Sequence, residues 1–218
     1  MRDKFPPHSA RSARARGPRR APAAAARGAH SRVLRIIGGA WRGRRLRFPA
    51  HSGIRPTPDR VRETLFNWIG PRVAGRQVLD LFAGSGALGL EALSRGAAGA
   101  QFIERDAPSA RALAQLLEAW VAVGAQVACT DALRFLAGAP RAFDLVFLDP
   151  PFEGGYLAAA AERLAEGGWL APGALIYVEC PAREALPVLP AGWQLLRAKR
   201  AGEVGYHLLE HSQAPSGP

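Results

Sequence analysis

Asp149, Pro150, Pro151 and Phe152 follow the apolar run "FDLVFL", and their types in that order make a specific chemical demand. An exocyclic amino group on a nucleobase is a poor nucleophile, because its nitrogen lone pair is delocalised into the ring. Hydrogen bonds from that NH₂ to the Asp149 carboxylate and the Pro150 carbonyl would pull the nitrogen toward a tetrahedral shape and localise the lone pair. Two prolines stiffen the loop, so the acceptors are fixed before the base arrives and nothing reorganises at the moment of reaction. Phe152 adds a flat surface on which an extruded base can stack. An ordinary aspartate before a Pro-Pro loop terminator would look alike locally, but would leave the four-residue coincidence unexplained.

Such a tetrad needs a strand to carry it and a co-substrate beside it. "FDLVFL" reads as a strand buried on both faces, and its carboxyl end is where ligands of open parallel sheets bind. Upstream, "QVLDLF" has the same character, "ALGLEALSRG" reads as a helix, and Gly84, Gly86 and Gly89 between them form G-x-G-x-x-G. Glycines there permit a tight turn and let backbone N–H groups approach a ligand at the positive end of a helix. They would equally serve a plain strand-to-helix turn. The next strand, "GAQFIE", ends at Glu104, 24 residues beyond Asp80, where a carboxylate can accept both hydroxyls of a ribose. That feature suits NAD as well as any other adenosine cofactor. After the helix "APSARALAQLLEAWVAVG", the strand "AQVACT" leads to Asp131, which can approach an adenine amino group or simply cap the helix "ALRFLAG".

The formal charge of +11 is unevenly placed. Residues 1–32 carry nine basic side chains against one acidic, and residues 33–75 nine against two, whereas residues 76–218 carry 11 against 15. A mildly acidic domain with a basic N-terminal side points to a polyanionic partner docking there. "LRIIGG" and "RRLRFP" have strand composition and are joined by "GAWRG", which predicts a basic hairpin. Thr57 is expected to cap a helix with Pro58 at its first position, burying Val61, Leu65, Trp68 and Ile69 on one face and turning Arg60, Glu63 and Asn67 outward. Arg42, Arg44, Arg45, Arg55, Thr57 and Arg60 are the candidates for gripping phosphates. A solvated surface accounts for about half of these arginines, but not for their density beside turns.

Residues 1–32, with "RSARARGPRRAPAAAARGAH", have almost nothing to bury and read as a disordered tail, as do residues 212–218. A nucleic-acid-binding arm, a transit peptide and sequence upstream of the true start all fit that tail; a dispensable solvated tail is the simplest reading. Arginine outnumbers lysine 27 to 2, as in a GC-rich bacterial genome. Cys129 and Cys180 are isolated, which excludes a zinc site or disulfide framework, suits a reducing cytosol, and predicts two buried small apolar residues. No apolar run approaches the roughly 18 residues of a spanning helix.

"DLFAGSGALGLEALSRGA" resembles the cofactor loop of class I S-adenosylmethionine-dependent methyltransferases, and "DPPF" resembles the D/N-P-P-Y/F/W tetrad of those that methylate amino groups. "RIIGGAWRGRRL", "RPTPDRVRETLFNWI" and "EVGYHLLE" together resemble the RsmD family, bacterial 16S rRNA guanine-N2 methyltransferases, over residues 34–210. The resemblance implies an α/β, Rossmann-like fold with a seven-stranded sheet whose last strand is antiparallel, with the basic hairpin and helix of residues 33–75 preceding a methyltransferase domain over residues 76–211. "ALIYVEC", "WQLLRAKR" and "EVGYHLLE" would supply strands five to seven. It further implies that S-adenosylmethionine lies among Asp80, Gly84, Gly86, Glu104 and Asp131, with Phe82, Ala83, Ser85, Arg105 and Ala132 beside them, and no metal. Asp149 to Phe152 would hold the guanine of 16S rRNA, within an assembling small ribosomal subunit, and the protein would act as a cytoplasmic monomer.

Rival classes lack what they need. A DNA adenine-N6 methyltransferase normally adds a sizeable target-recognition domain, for which no residues remain. A glutamine-N5 methyltransferase usually carries Asn in place of Asp149. A non-catalytic RNA-binding module has no use for "DPPF" beside a glycine loop. An NAD oxidoreductase would need an acid-base residue, but His207 lies in a strand-like run and the other four histidines sit at or near the termini.

Overall fold

A computed structural model of the chain describes residues 31–49, 57–152, 154–184, 186 and 188–212. Arg55 and nearly all of the N-terminal tail lie outside these, as do residues 213–218. Strands β1 (Ser31–Arg35) and β2 (Arg45–Pro49) pair antiparallel with Leu34 opposite Leu46, and helix α1 (Asp59–Ile69) follows. Then come β3 (Gln77–Asp80), α2 (Ala87–Ser94), β4 (Gly99–Glu104), α3 (Ala107–Ala119), β5 (Ala125–Cys129), α4 (Ala132–Phe135), β6 (Phe143–Leu148) and α5 (Tyr156–Glu166). Strands β7 (Leu170–Pro181), β8 (Trp193–Ala201) and β9 (Val204–His211) close the sequence of elements.

The seven-stranded sheet has the order β5-β4-β3-β6-β7-β9-β8, with β9 inserted antiparallel between β7 and β8. Side chains on successive strand residues point to opposite faces, so each central strand feeds two cores. On one face Val78, Phe102, Leu145, Phe147, Tyr177 and Tyr206 pack with the hairpin, α1, α2 and α3. On the other, Leu79, Ile103, Val146, Leu148 and Ile176 pack with α4 and α5. The basic N-terminal segment therefore shares a core with the sheet. Its Leu34, Leu46 and Phe48 point inward, while Phe66 meets Phe147 edge-on at 6.1 Å and Trp68 stacks on Tyr206 at 5.3 Å.

A second tie is ionic. Arg62, fully buried in α1, reaches Glu91 of α2 at 3.3 Å and Asp59 at 2.6 Å, and donates to the Arg35 carbonyl at 2.9 Å. Glu91 also accepts from the Ile37 and Gly38 N–H groups and from Arg95. Its two oxygens thus anchor the end of β1 and the turn after it to the helix beyond the glycine loop.

Four local expectations need correction. Thr57 does not cap α1; Pro58 holds the cap position and no side chain caps it, because the Thr57 hydroxyl is engaged by the buried Glu179 and the half-buried Asp149 instead. Helix α3 stops at Ala119 rather than running on through "WVAVG": Val121 sits at φ 52°, which ends the helical path. "ALRFLAG" supplies only the single turn Ala132–Phe135. Cys129 is exposed rather than buried, because β5 is an edge strand; Cys180, inside the sheet, is buried as expected.

Candidate active site

Parallel pairing delivers five acidic side chains to one edge of the sheet. Asp80 ends β3 opposite Phe102 and Phe147, and Glu104 ends β4 opposite Cys129, two residues before Asp131. Leu148 pairs with Val178, so Asp149, just past the end of β6, and Glu179, still within β7, lie at the same level. All five line one cavity of about 780 Å³, together with Gly84, Ser85, Pro150, Pro151, Phe152, Thr57 and Tyr156. Phe82, Ala83, Arg105 and Ala132 line it too, so the structure brings the sequence-predicted cofactor and tetrad residues, except Gly86, to the lining of a single cleft.

The glycine loop works differently from the expectation that its N–H groups face a ligand. Gly84 N–H donates to Glu104 at 2.7 Å, Gly86 N–H to the Ala83 carbonyl at 2.6 Å, and Gly89 N–H to Asp80 at 3.0 Å. Gly86 adopts φ 75°, a left-handed conformation open to glycine at little cost. A β-carbon at Gly89 would overlap the Phe102 ring, so glycine there lets α2 lie close on β4. The loop is thus fastened to the two carboxylates rather than poised to grip an anion.

Glu104 accepts from Gly84 N–H and from Asp106 N–H, each at 2.7 Å, which fixes the carboxylate while leaving lone pairs toward the cavity. Asp131 caps α4, accepting from Leu133 and Arg134 N–H at 2.9 and 3.1 Å through a single oxygen. Capping is therefore its structural role, and it reaches the cavity as well. Burial pushes the Asp80 carboxyl up to about 7; the Gly89 hydrogen bond opposes the rise and the Glu104 charge adds to it. Asp149 is raised well above the ordinary carboxylate range, first by burial and then by the charges of Glu179 and Asp80, with the Thr57 hydrogen bond opposing. Glu179 is raised by burial and held down by its Tyr177 and Thr57 bonds, while Tyr177 is itself raised by burial and by Glu179.

Thr57, Tyr177 and Glu179 form a network that reading the sequence did not single out. The Thr57 hydroxyl lies 3.3 Å from Asp149 Oδ2 and 3.1 Å from Glu179 Oε1, and Tyr177 donates to the same Oε1 at 2.7 Å. At the mouth, Phe152 is 47% exposed, presenting its ring to solvent without a share in the core. Of the phosphate-gripping candidates described, Arg42, Arg44, Arg45 and Arg60 are exposed on the hairpin and α1, while Thr57 is turned inward. The Arg44 guanidinium lies over Trp120, 5.4 Å from the ring centre, and Trp120 meets Trp41 edge-on at 5.2 Å.

The donor set discriminates between cofactors. Among the described residues the cavity lining holds seven carboxylates and one cation, Arg105. A pyrophosphate would meet that negative wall with no free glycine N–H groups to offset it, which disfavours a dinucleotide. A sulfonium cation with an ammonium group, carried on an adenosine, suits it in both charge and hydrogen bonding. No cluster of metal-ligating side chains occurs among the described residues.

Fold and site, with the relatives that follow, define a methyltransferase. The chain is 51% identical over 177 residues to ribosomal RNA small subunit methyltransferase D of Escherichia coli (strain K12), covering 81% of this chain and 89% of that one. The protein of the same name from Haemophilus influenzae is 44% identical over 182 residues, covering 82% and 94%. The solved structure of yhhF from Escherichia coli superposes with a TM-score of 0.77 at 48% identity, over 84% of this chain and 99% of that one. The chain belongs to the RsmD family: the family model described as conserved hypothetical protein 95 matches residues 34–210.

Proposed function

We propose that this methyltransferase modifies the exocyclic N2 amino group of a guanine in small-subunit ribosomal RNA. The observation that carries the reading is the meeting, in one cavity, of the Asp149-Pro150-Pro151-Phe152 loop with the Asp80 and Glu104 carboxylates. The 51% identical relative named for small-subunit rRNA methylation supports the choice of RNA.

Glu104 would hold the ribose hydroxyls of S-adenosylmethionine, with Asp131 near the adenine and Asp80 behind the glycine loop. When bound, that cofactor supplies an electrophilic methyl group. The protein's part is the nucleophile. Asp149 and the Pro150 carbonyl accept the two amino hydrogens, concentrating the lone pair on nitrogen, and the elevated proton affinity of Asp149 makes it the acceptor for the proton released on methylation. Phe152, at the cavity mouth, stacks on the extruded base. Arg42, Arg44, Arg45 and Arg60 bind the phosphates of the surrounding RNA, a role also proposed for Arg55, outside the described residues. The protein acts as a monomer in the cytoplasm, on an assembling subunit.

Methyl transfer to small subunits, naked rRNA and plasmid DNA, followed by mass spectrometry of digested RNA, tests the reading. N2-methylguanine in small-subunit rRNA is the expected product; methylated adenine in the plasmid would replace it with the DNA enzyme. Asp149→Ala is expected to lower kcat on the order of a hundredfold or more while cofactor affinity stays near wild type.

A further inference from the structure

Glu179 is a buried carboxylate with no counter-ion among the described residues. It is 3% exposed, and among the described residues no Lys, Arg or His forms an ion pair with it. Two hydroxyls converge on Oε1, from Tyr177 at 2.7 Å and Thr57 at 3.1 Å. Oε2 has no hydrogen-bond partner among the described residues, and Glu179 lines the cavity beside Asp149. Asp149 shares the arrangement: Thr57 holds Oδ2, and Oδ1 has no hydrogen-bond partner among the described residues. An uncompensated buried carboxylate costs several kcal/mol unless something donates to it. Here the buried Glu179 and the half-buried Asp149 share one hydroxyl, each with one oxygen spare. They form a pair of adjacent acceptors set into a wall.

Bases differ in what they offer to such a pair. Guanine presents an amino group next to a ring N1–H, two neighbouring donors. Adenine and cytosine present an amino group next to a ring nitrogen whose lone pair would face the second carboxylate. We propose that Glu179 reads the target base, its Oε2 accepting guanine N1–H while Asp149 accepts from the N2 amino group. This rests on guanine N2 being the methyl acceptor, as proposed above. Selection then comes mainly from repulsion: a base with a lone pair at that ring position leaves a buried charge unpaired and confronts it with a second acceptor.

The test separates reading from folding. The target is first located by mass spectrometry of small-subunit rRNA methylated by the wild-type protein. Subunits are then assembled on rRNA carrying guanine or 2-aminopurine at that site; 2-aminopurine keeps the C2 amino group but has a lone pair at N1. Wild-type protein is expected to favour guanine in kcat/KM on the order of a hundredfold or more. In Glu179→Gln the amide NH₂ can donate to that lone pair, so the preference should narrow at least tenfold. The oxygen that 2-aminopurine lacks at C6 affects both proteins alike and cancels in the comparison. A purely structural Glu179 would lower both rates by one factor; an unchanged preference in the variant overturns the proposal. So does a wild-type protein that methylates both bases equally, whether or not the variant folds. Absence of N2-methylguanine from rRNA treated with the wild-type protein would instead sink the guanine reading itself.

Discussion

Arg62 and Glu91 form an ion pair, 3.3 Å apart, in which neither side chain has any exposed surface. It joins α1, the helix after the basic hairpin, to α2, the helix after the glycine loop, so the segment proposed to dock RNA is fastened directly to the segment that shapes the cleft. Removing Glu91 would leave the buried Arg62 with the half-exposed Asp59 as its remaining charge partner and would strip the Ile37 and Gly38 N–H groups of their acceptor. Glu91→Ala should therefore lower stability by about 3–5 kcal/mol, more than an average substitution. Urea unfolding measures it, and a loss under 1 kcal/mol would show that water reaches the site.

Thr57 should set the acid limb of the pH–rate profile. Asp149 must be ionised to accept from an amino group, burial raises its proton affinity, and the Thr57 hydrogen bond holds it down. Without that hydroxyl the carboxylate is less favoured. In Thr57→Val the rise of kcat/KM with pH should move to higher pH, with the plateau at alkaline pH less affected than the rate near neutrality. A midpoint that stays in place would detach Thr57 from Asp149.

Asp80 makes stability depend on pH in the direction opposite to a salt-bridged acid. Its carboxyl is pushed from 3.8 to about 7 in the fold, so between those values the folded state holds a proton that the unfolded chain releases. Stability is then fully present below about pH 4 and falls as pH rises toward 7, by at most about 1.4 kcal/mol per unit for one group. Asp149 and Glu179 act in the same sense. Asp80→Asn, which can still accept from Gly89, should flatten the slope of unfolding free energy between pH 5 and 7 in cofactor-free protein. An identical slope would place the titration elsewhere.

Arg42, Arg44 and Arg45, exposed on the hairpin, should govern affinity rather than chemistry. Replacing all three with alanine should weaken binding to small subunits, lower the slope of log K against log salt by roughly one unit per lost phosphate contact, and leave the rate at saturating RNA near wild type. Full salt dependence in the triple variant would move the docking surface away from the hairpin.

What could be read from sequence was local in origin. The glycine spacing, the strand-tip Glu104 and the "DPPF" run each announce themselves within a few residues, and the order of strands and helices follows from apolar runs and helical periodicity. Thr57 could not be read this way. "TPD" has the composition of a helix cap, yet its hydroxyl serves Glu179, 122 residues away, and only the packing of α1 over the carboxyl edge of the sheet decides between the two. Glu179 and Tyr177 sit inside "ALIYVEC", where a near-continuous apolar run marks a strand but says nothing of the loop beside it; their meaning comes from the β6–β7 register. Arg62 and Glu91 belong to different helices, and no spacing rule links them. The end of α3 was missed because Val121 takes a backbone conformation rare for a β-branched residue.

The stacking of Trp68 on Tyr206 places a condition on how the protein is made. Helix α1 is synthesised well before the sheet is complete, and its apolar face is covered by Phe147 and finally by Tyr206, the third residue of the sheet's inserted strand β9. The 138 residues from Trp68 to Tyr206 take roughly 7–30 s to translate at the usual ~5–20 residues per second. During that interval the apolar face of α1 waits incompletely covered on the nascent chain, beside a strongly basic segment. Covering of α1 and completion of the cleft wall at Val204 thus wait for the same event, the arrival of the last strand.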